Sequence, residues 1–174
     1  MSAGPPPPQR VPADVDAARS SVTALTDTLE ATVSRASSFT EDELNRSIDD
    51  EWSTVESLRH IVFVIDLWLG RVIQGEEDPF HPIGLPPHFA PRVLPGSSID
   101  PEASPTFDEA CGVLRGRLGM LASFVAELSD DELARSIGTH AETVAGGLGV
   151  VFDELTYHDV FINRDLTKIE QARP

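Results

Sequence analysis

Apolar residues recur at spacings of three and four through four separate stretches of the chain, the period of an amphipathic helix. Val15, Ala18, Val22, Leu25, Leu29, Val33 and Ala36 predict a helix over about 14–37. Thr40 and Glu43 then form a capping box that opens a short helical turn. A second box, Ser53 with Glu56, starts a helix reaching about Ile73, with Val55, Leu58, Val62, Ile65 and Leu69 as its stripe. Ile61, Val64, Leu67 and Trp68 widen that stripe, which predicts the most buried helix of the four. From Gln74 to Pro105 the chain is rich in Pro and Gly and has no helical period. A connection this long is commonly a lid, a binding element or a dimer contact. A third box, Thr106 with Glu109, opens a helix striped by Phe107, Cys111, Leu114, Leu118, Leu121, Val125 and Leu128. A short turn follows at 129–132, and a last helix spans about 143–171.

The two halves align without a gap at an offset of 89 residues. Segment 40–48 falls on 129–137, Thr54 and Val55 on Thr143 and Val144, and Val62 and Phe63 on Val151 and Phe152. Val22, Leu25 and Leu29 fall on Cys111, Leu114 and Leu118. The pattern predicts an all-α fold, an antiparallel four-helix bundle with a pseudo-two-fold internal repeat. It occupies 14–174 as one domain, behind a disordered Pro-rich lead at 1–13.

Composition narrows the functional classes. Of 174 residues, 40% are apolar, enough for a core. Thirteen basic against twenty-nine acidic residues leave a net charge of -16. That charge repels phosphate backbones and anionic lipid, so neither nucleic acid nor a membrane surface is an expected partner. No run of about twenty apolar residues predicts a membrane span. The N-terminus has no charged-then-apolar order, and the lone cysteine, Cys111, cannot form an intrachain disulfide. A cytoplasmic location is the expectation.

A repeat makes its own departures visible. Ile65 and Leu69 belong to the core stripe of the second helix, yet their counterparts in the fourth are Glu154 and His158. A carboxylate and an imidazole thus stand i,i+4 on one helix face where the other half carries aliphatics. Burying that Glu without a partner costs several kcal/mol, so a metal, an Arg or a protonated hydrogen-bonding arrangement should satisfy it. His60, whose counterpart is Gly149, shares a face with Val64 and Leu67. His60, Glu154 and His158 together have the composition of an open zinc site, with a fourth position for water or substrate. On a helical wheel, however, His60 lies opposite Leu58 and off the main stripe. Two readings therefore stand at this point: a three-residue metal site, or a Glu154–His158 pair with His60 in a separate core hydrogen bond.

Other candidates are plainer. Cys111 is in register with the core, which predicts a buried thiol and not a nucleophile. Gly146, Gly147 and Gly149 mark either a frayed helix start or a close backbone approach beside a ligand. His81, His88 and His140 fall in loops and read as surface residues. Asp165 is either a partner supporting the metal ligands or one half of an ion pair with Arg164. Acidic residues at 49–51 and 130–132 read as solvated turn charges and caps.

Two segments carry a resemblance. Glu51, Trp52 and Ser53 followed by His60 resemble the Trp-Ser…His signature that opens the second helix of the DinB-like superfamily. Glu154 and His158, followed by Arg164, Asp165 and Leu166, resemble its fourth-helix signature. The chain is most similar to the N-terminal domain type of mycothiol-dependent maleylpyruvate isomerases, over about 14–170. The resemblance implies an up-down-down-up four-helix bundle, often a homodimer. It implies a divalent metal, zinc or nickel, on His60, Glu154 and His158. It also implies a thiol S-transferase or isomerase activity, with mycothiol as co-substrate bound as thiolate. The chain ends at Pro174 without the isomerase's second domain, so maleylpyruvate is not the expected substrate. The alternatives are a metal-dependent hydrolase and a non-catalytic bundle that binds a small ligand or partner. The last requires the three polar residues to lie more than about 6 Å apart, too far to close metal bonds near 2 Å.

Overall fold

The computed structural model describes residues 10–87, 96–138 and 141–173. Six helical segments follow the expected order: α1 Val15–Ala36, α2 Glu41–Leu44, α3 Thr54–Ile65, α4 Phe107–Glu127, α5 Asp130–Leu133 and α6 Val144–Gln171. A π-helical stretch, Asp66–Ile73, carries α3 onward, so the predicted second helix changes pitch after Ile65. The capping boxes at Thr40, Ser53, Thr106 and Ser129 all form. Each satisfies two backbone donors at a helix start. Short helices α2 and α5 begin 89 residues apart, as the repeat requires. Among the long helices, α3 and α6 register one residue out, because Ser53 caps α3 but Thr143 caps α6.

The main contacts of α1 and of α3 are with α4 and α6, so helices consecutive within each half lie diagonally across the bundle. Their directions follow from the side-chain pairs. Arg10 meets Asp153, Thr32 meets Asp159 and Arg35 meets Glu170, so α1 and α6 run parallel. Arg19 reaches the carbonyl of Leu128 while Arg115 pairs with Glu30, so α1 and α4 are antiparallel. Glu51 pairs with Arg164 while Ile73 packs by Gly147, which makes α3 and α6 antiparallel. The order is up-down-down-up. Apart from the half-buried Val15, the predicted stripes are buried, including Leu29 at 1% exposure and Leu121 at 0%.

α3 is apolar nearly all round because it is covered on nearly all sides. Segment 79–85 lies along its outer surface, where Phe80 joins Phe63 and Val64 in a second apolar cluster. The Asp66 carboxylate accepts from the His81 amide at 2.8 Å and pairs with Arg117 Nε at 2.5 Å. Of the expected loop at 74–105, this described part is a strap fastened to α3. His81 is one of its residues and not a free surface histidine, since its Nδ1 accepts from the Ile83 amide. His88 and His140 lie outside the described residues.

The glycines that open α6 mark a close backbone approach and not a frayed helix start. A Cβ on Gly146 would lie 2.1 Å from the Ala141 carbonyl oxygen, and one on Gly149 would lie 3.2 Å from Val11 Cα. The close approach is to the chain's own backbone, with no room reserved for a ligand. Residues 1–9 of the lead lie outside those described. Arg10 and Val11, also in the lead, are docked on α6, the Arg10 amide donating to Asp153. Cys111 is 1% exposed, and burial pushes its thiol up to about 12. It is inert, as its register predicts.

Candidate metal centre

His60 from α3 and Glu154 and His158 from α6 converge, each offering one ligand atom, with these atoms all within 4.8 Å of one another. The His60 and His158 ring centroids are 4.9 Å apart, and His158 Nε2 lies 3.5 Å from Glu154 Oε2. The separation above 6 Å that the non-catalytic reading requires is not observed. His60 also does not sit in a separate core site. Because α3 is enclosed by α4, α6 and the strap, a residue off its main stripe still faces a neighbouring helix, here α6.

The surroundings suit the set to metal binding. Burial lowers the His60 pKa to about 4, so the ring is neutral near pH 7. Its Nδ1–H donates to the Leu85 carbonyl at 2.8 Å, which leaves the Nε2 lone pair free for a ligand. The hydrogen bond to His158 holds the Glu154 carboxyl below the ordinary range, against the opposing effect of burial. His158 Nδ1 is buried and has no hydrogen-bond partner among the described residues. Tetrahedral bonds of 2.0–2.2 Å place donor atoms about 3.3–3.6 Å apart. Side-chain shifts of about an ångström would close the observed set to that spacing. Two imidazoles and a carboxylate are a donor set for zinc and similar ions.

The centre opens onto a cleft of about 360 Å³ lined by Asp50, Glu51, Trp52, Tyr157, His158 and Phe161. The Trp52 ring lies 4.5 Å from His60 and stacks 6.0 Å from His158. Arg164 stands over Phe161 at 3.8 Å and is held by Glu51 and Asp165. Of the two readings for Asp165, the ion pair with Arg164 is the one formed. Glu51 and Asp49, exposed as expected of turn charges, also pair with Arg164 and Lys168. They tie the start of α3 to α6. Asp49 and Asp50 have φ of 55° and 60°, the left-handed region, so the chain turns sharply just before Trp52.

Several residues that matter here escape the periodicity. The Trp52 ring and the Leu85 carbonyl come from outside the helices, so no helical pattern marks them. Asp66 had a signal: its repeat counterpart is Leu155, the same kind of departure that exposed Glu154. Thr32 donates to Asp159 at 2.5 Å in the parallel α1–α6 seam, where Asn163 donates to Thr32. Thr32 likewise stands where the second half has Leu121.

An up-down-down-up bundle with an inward His/Glu/His cluster defines a class of helical proteins whose members often bind divalent metal. The model of the DinB superfamily matches residues 24–162, and the chain belongs to that superfamily. The match runs from within α1 to within α6 and includes all three cluster residues. No curated protein and no solved structure matches the chain. Among the described residues, no helix is long and apolar enough to cross a membrane.

Proposed function

We propose that this protein is a divalent-metal-dependent enzyme, a mycothiol-type S-transferase, with His60, Glu154 and His158 as metal ligands. The observation that carries the reading is the convergence of those three side chains, of which His158 lines an open cleft. Zinc or nickel suits the donor set. When bound, such an ion supplies Lewis acidity, which lowers the pKa of a thiol beside it.

The chain's own residues supply the rest. Neutral His60 keeps its tautomer through Leu85. Trp52, Tyr157 and Phe161 present aromatic surface on which a substrate can rest, and they exclude water from one side of the centre. Among the described residues, the cleft lining contains no Lys or Arg, and the nearby Arg164 is already neutralised by two carboxylates. The electrophile is therefore neutral or cationic. A hydrolase reading uses the same ligands and differs in having water as the nucleophile. The protein acts in the cytoplasm as a homodimer, a pairing that Tyr157 and Val160 on α6 support by being 60% and 64% exposed.

The test uses untagged protein. Metal content is measured first, then thiol consumption with a neutral aromatic electrophile such as a chlorodinitrobenzene. The expected result is one metal per chain and thiol-dependent turnover, both lost in His158→Ala. Near-stoichiometric metal with ester hydrolysis and no thiol dependence would favour the hydrolase. Absence of metal, with the variant behaving as the wild type, would defeat both. Sedimentation or light scattering reads the oligomeric state.

A further inference from the structure

A second polar cavity, of about 270 Å³, sits beside the N-terminus of α3. It shares no lining residue with the metal cleft. Asn45, Ser47, Ser53 and Ser104 give it a polar wall, and Glu56 and Arg59 line it as well. Arg59 is the unusual member, since its side chain is nine-tenths buried, at 8% exposure. A guanidinium carries five N–H donors. Among the described residues, the side-chain hydrogen bond of Arg59 is the one from Nε to the Ile83 carbonyl at 2.8 Å. Its Nη2 is buried and has no partner among the described residues. A buried cation left this far short of acceptors is costly, and native structures seldom keep one without a use.

We propose that this cavity binds a small carboxylate, gripped by Arg59. Glu56 and Asp100 are the acidic groups acting on Arg59, so its charge is already partly balanced. The Glu56 carboxylate spends Oε2 on the Ser53 amide in the capping box. What the guanidinium lacks is acceptor atoms more than negative charge. A carboxylate offers two parallel acceptors matched to the guanidinium fork and carries a single charge. A phosphate dianion would meet stronger repulsion from Glu56 in the same cavity. The volume suits a short organic acid. The site stands apart from the metal-centre reading and does not depend on it.

The experiment titrates the full chain with acetate, and separately with inorganic phosphate, against chloride at constant ionic strength and pH 7. Chelator is present, so that no ion at His60, Glu154 and His158 can take the anion. Chemical-shift changes report binding. Saturable acetate binding is expected, weakened at least tenfold in Arg59→Gln and less in Arg59→Lys, which keeps the charge but loses the fork. Glu56→Gln should tighten acetate several-fold, since the amide oxygen still caps the Ser53 amide. Equal affinity in wild type and Arg59→Gln would overturn the proposal. So would no response to Glu56→Gln, which remains readable if the Arg59 variants fail to fold. Phosphate binding tighter than acetate would overturn the assignment to carboxylates.

Discussion

Replacing His158 by Leu restores the residue that the first half of the repeat carries at Leu69, and the structure lets its effect be worked out. His158 is 5% exposed and its Nδ1 has no hydrogen-bond partner among the described residues. An unsatisfied buried polar group costs about 1–3 kcal/mol. Leu removes that cost and adds apolar contact with the core residues around it. Against this stands the loss of the 3.5 Å pairing with Glu154, whose side chain is 40% exposed. A pair that open to solvent contributes at most about 1 kcal/mol. The metal-free variant should therefore gain about 1–2 kcal/mol. For a domain of this size that raises Tm by roughly 2–8 °C. Wild type should in turn gain from added zinc, by about 2.7 kcal/mol at a hundredfold excess over Kd, while the variant gains nothing. Differential scanning calorimetry with chelator, and then with zinc, measures both effects. A variant less stable than wild type in chelator would refute the reasoning. The imidazole would then be held by hydrogen bonds of its own, as in a purely structural Glu–His pair.

Three further outcomes follow from the geometry. Arg117→Met alone should cost about 3–5 kcal/mol in urea unfolding, because it strands Asp66, which is 3% exposed. Asp66→Leu with Arg117→Met should recover most of that loss, and a double variant as unstable as the single one would show that the pair is not the cause. Gly146→Ala should destabilise by about 1–3 kcal/mol, since the new methyl meets a backbone oxygen at 2.1 Å; a neutral or stabilising result by the same assay would mean that α6 does not start against Ala141. Burial holds the His60 pKa at about 4, below the 6.5 of an exposed histidine. Between those values the unfolded chain binds a proton that the folded one does not. In chelator, stability should thus be full above pH 6.5 and fall towards pH 4, by about 3 kcal/mol from this residue. His60→Asn should flatten that part of the profile relative to wild type, and parallel profiles would contradict the assignment.

The helices were legible because their signals are local. A stripe such as Val22, Leu25 and Leu29 is set by a period of 3.6 residues, and a box such as Thr106 with Glu109 by bonds within one turn. The repeat added a long-range comparison without any structure, and it singled out Glu154 and His158 as polar residues on an apolar face. It could equally have singled out Asp66 and Thr32, which stand opposite Leu155 and Leu121. Both are partnered, however, Asp66 by Arg117 and Thr32 by Asp159. Nothing local announces which polar departure will find a partner in the fold and which will face a cleft.

The convergence of His60 with the α6 pair belongs to the tertiary level for the same reason. On a wheel His60 sits off the stripe, and a wheel assumes that a helix has one buried side. α3 has several, because α4, α6 and the strap at 79–85 enclose it, and the strap has no period from which to be read. The diagonal placement of α1 and α3 was equally beyond the pattern, since stripe residues do not name the helix they will meet. Helical identity, caps and the two-fold echo are fixed by neighbours within a few residues. Which faces meet, and hence where three ligands gather, is fixed by packing between segments some ninety residues apart.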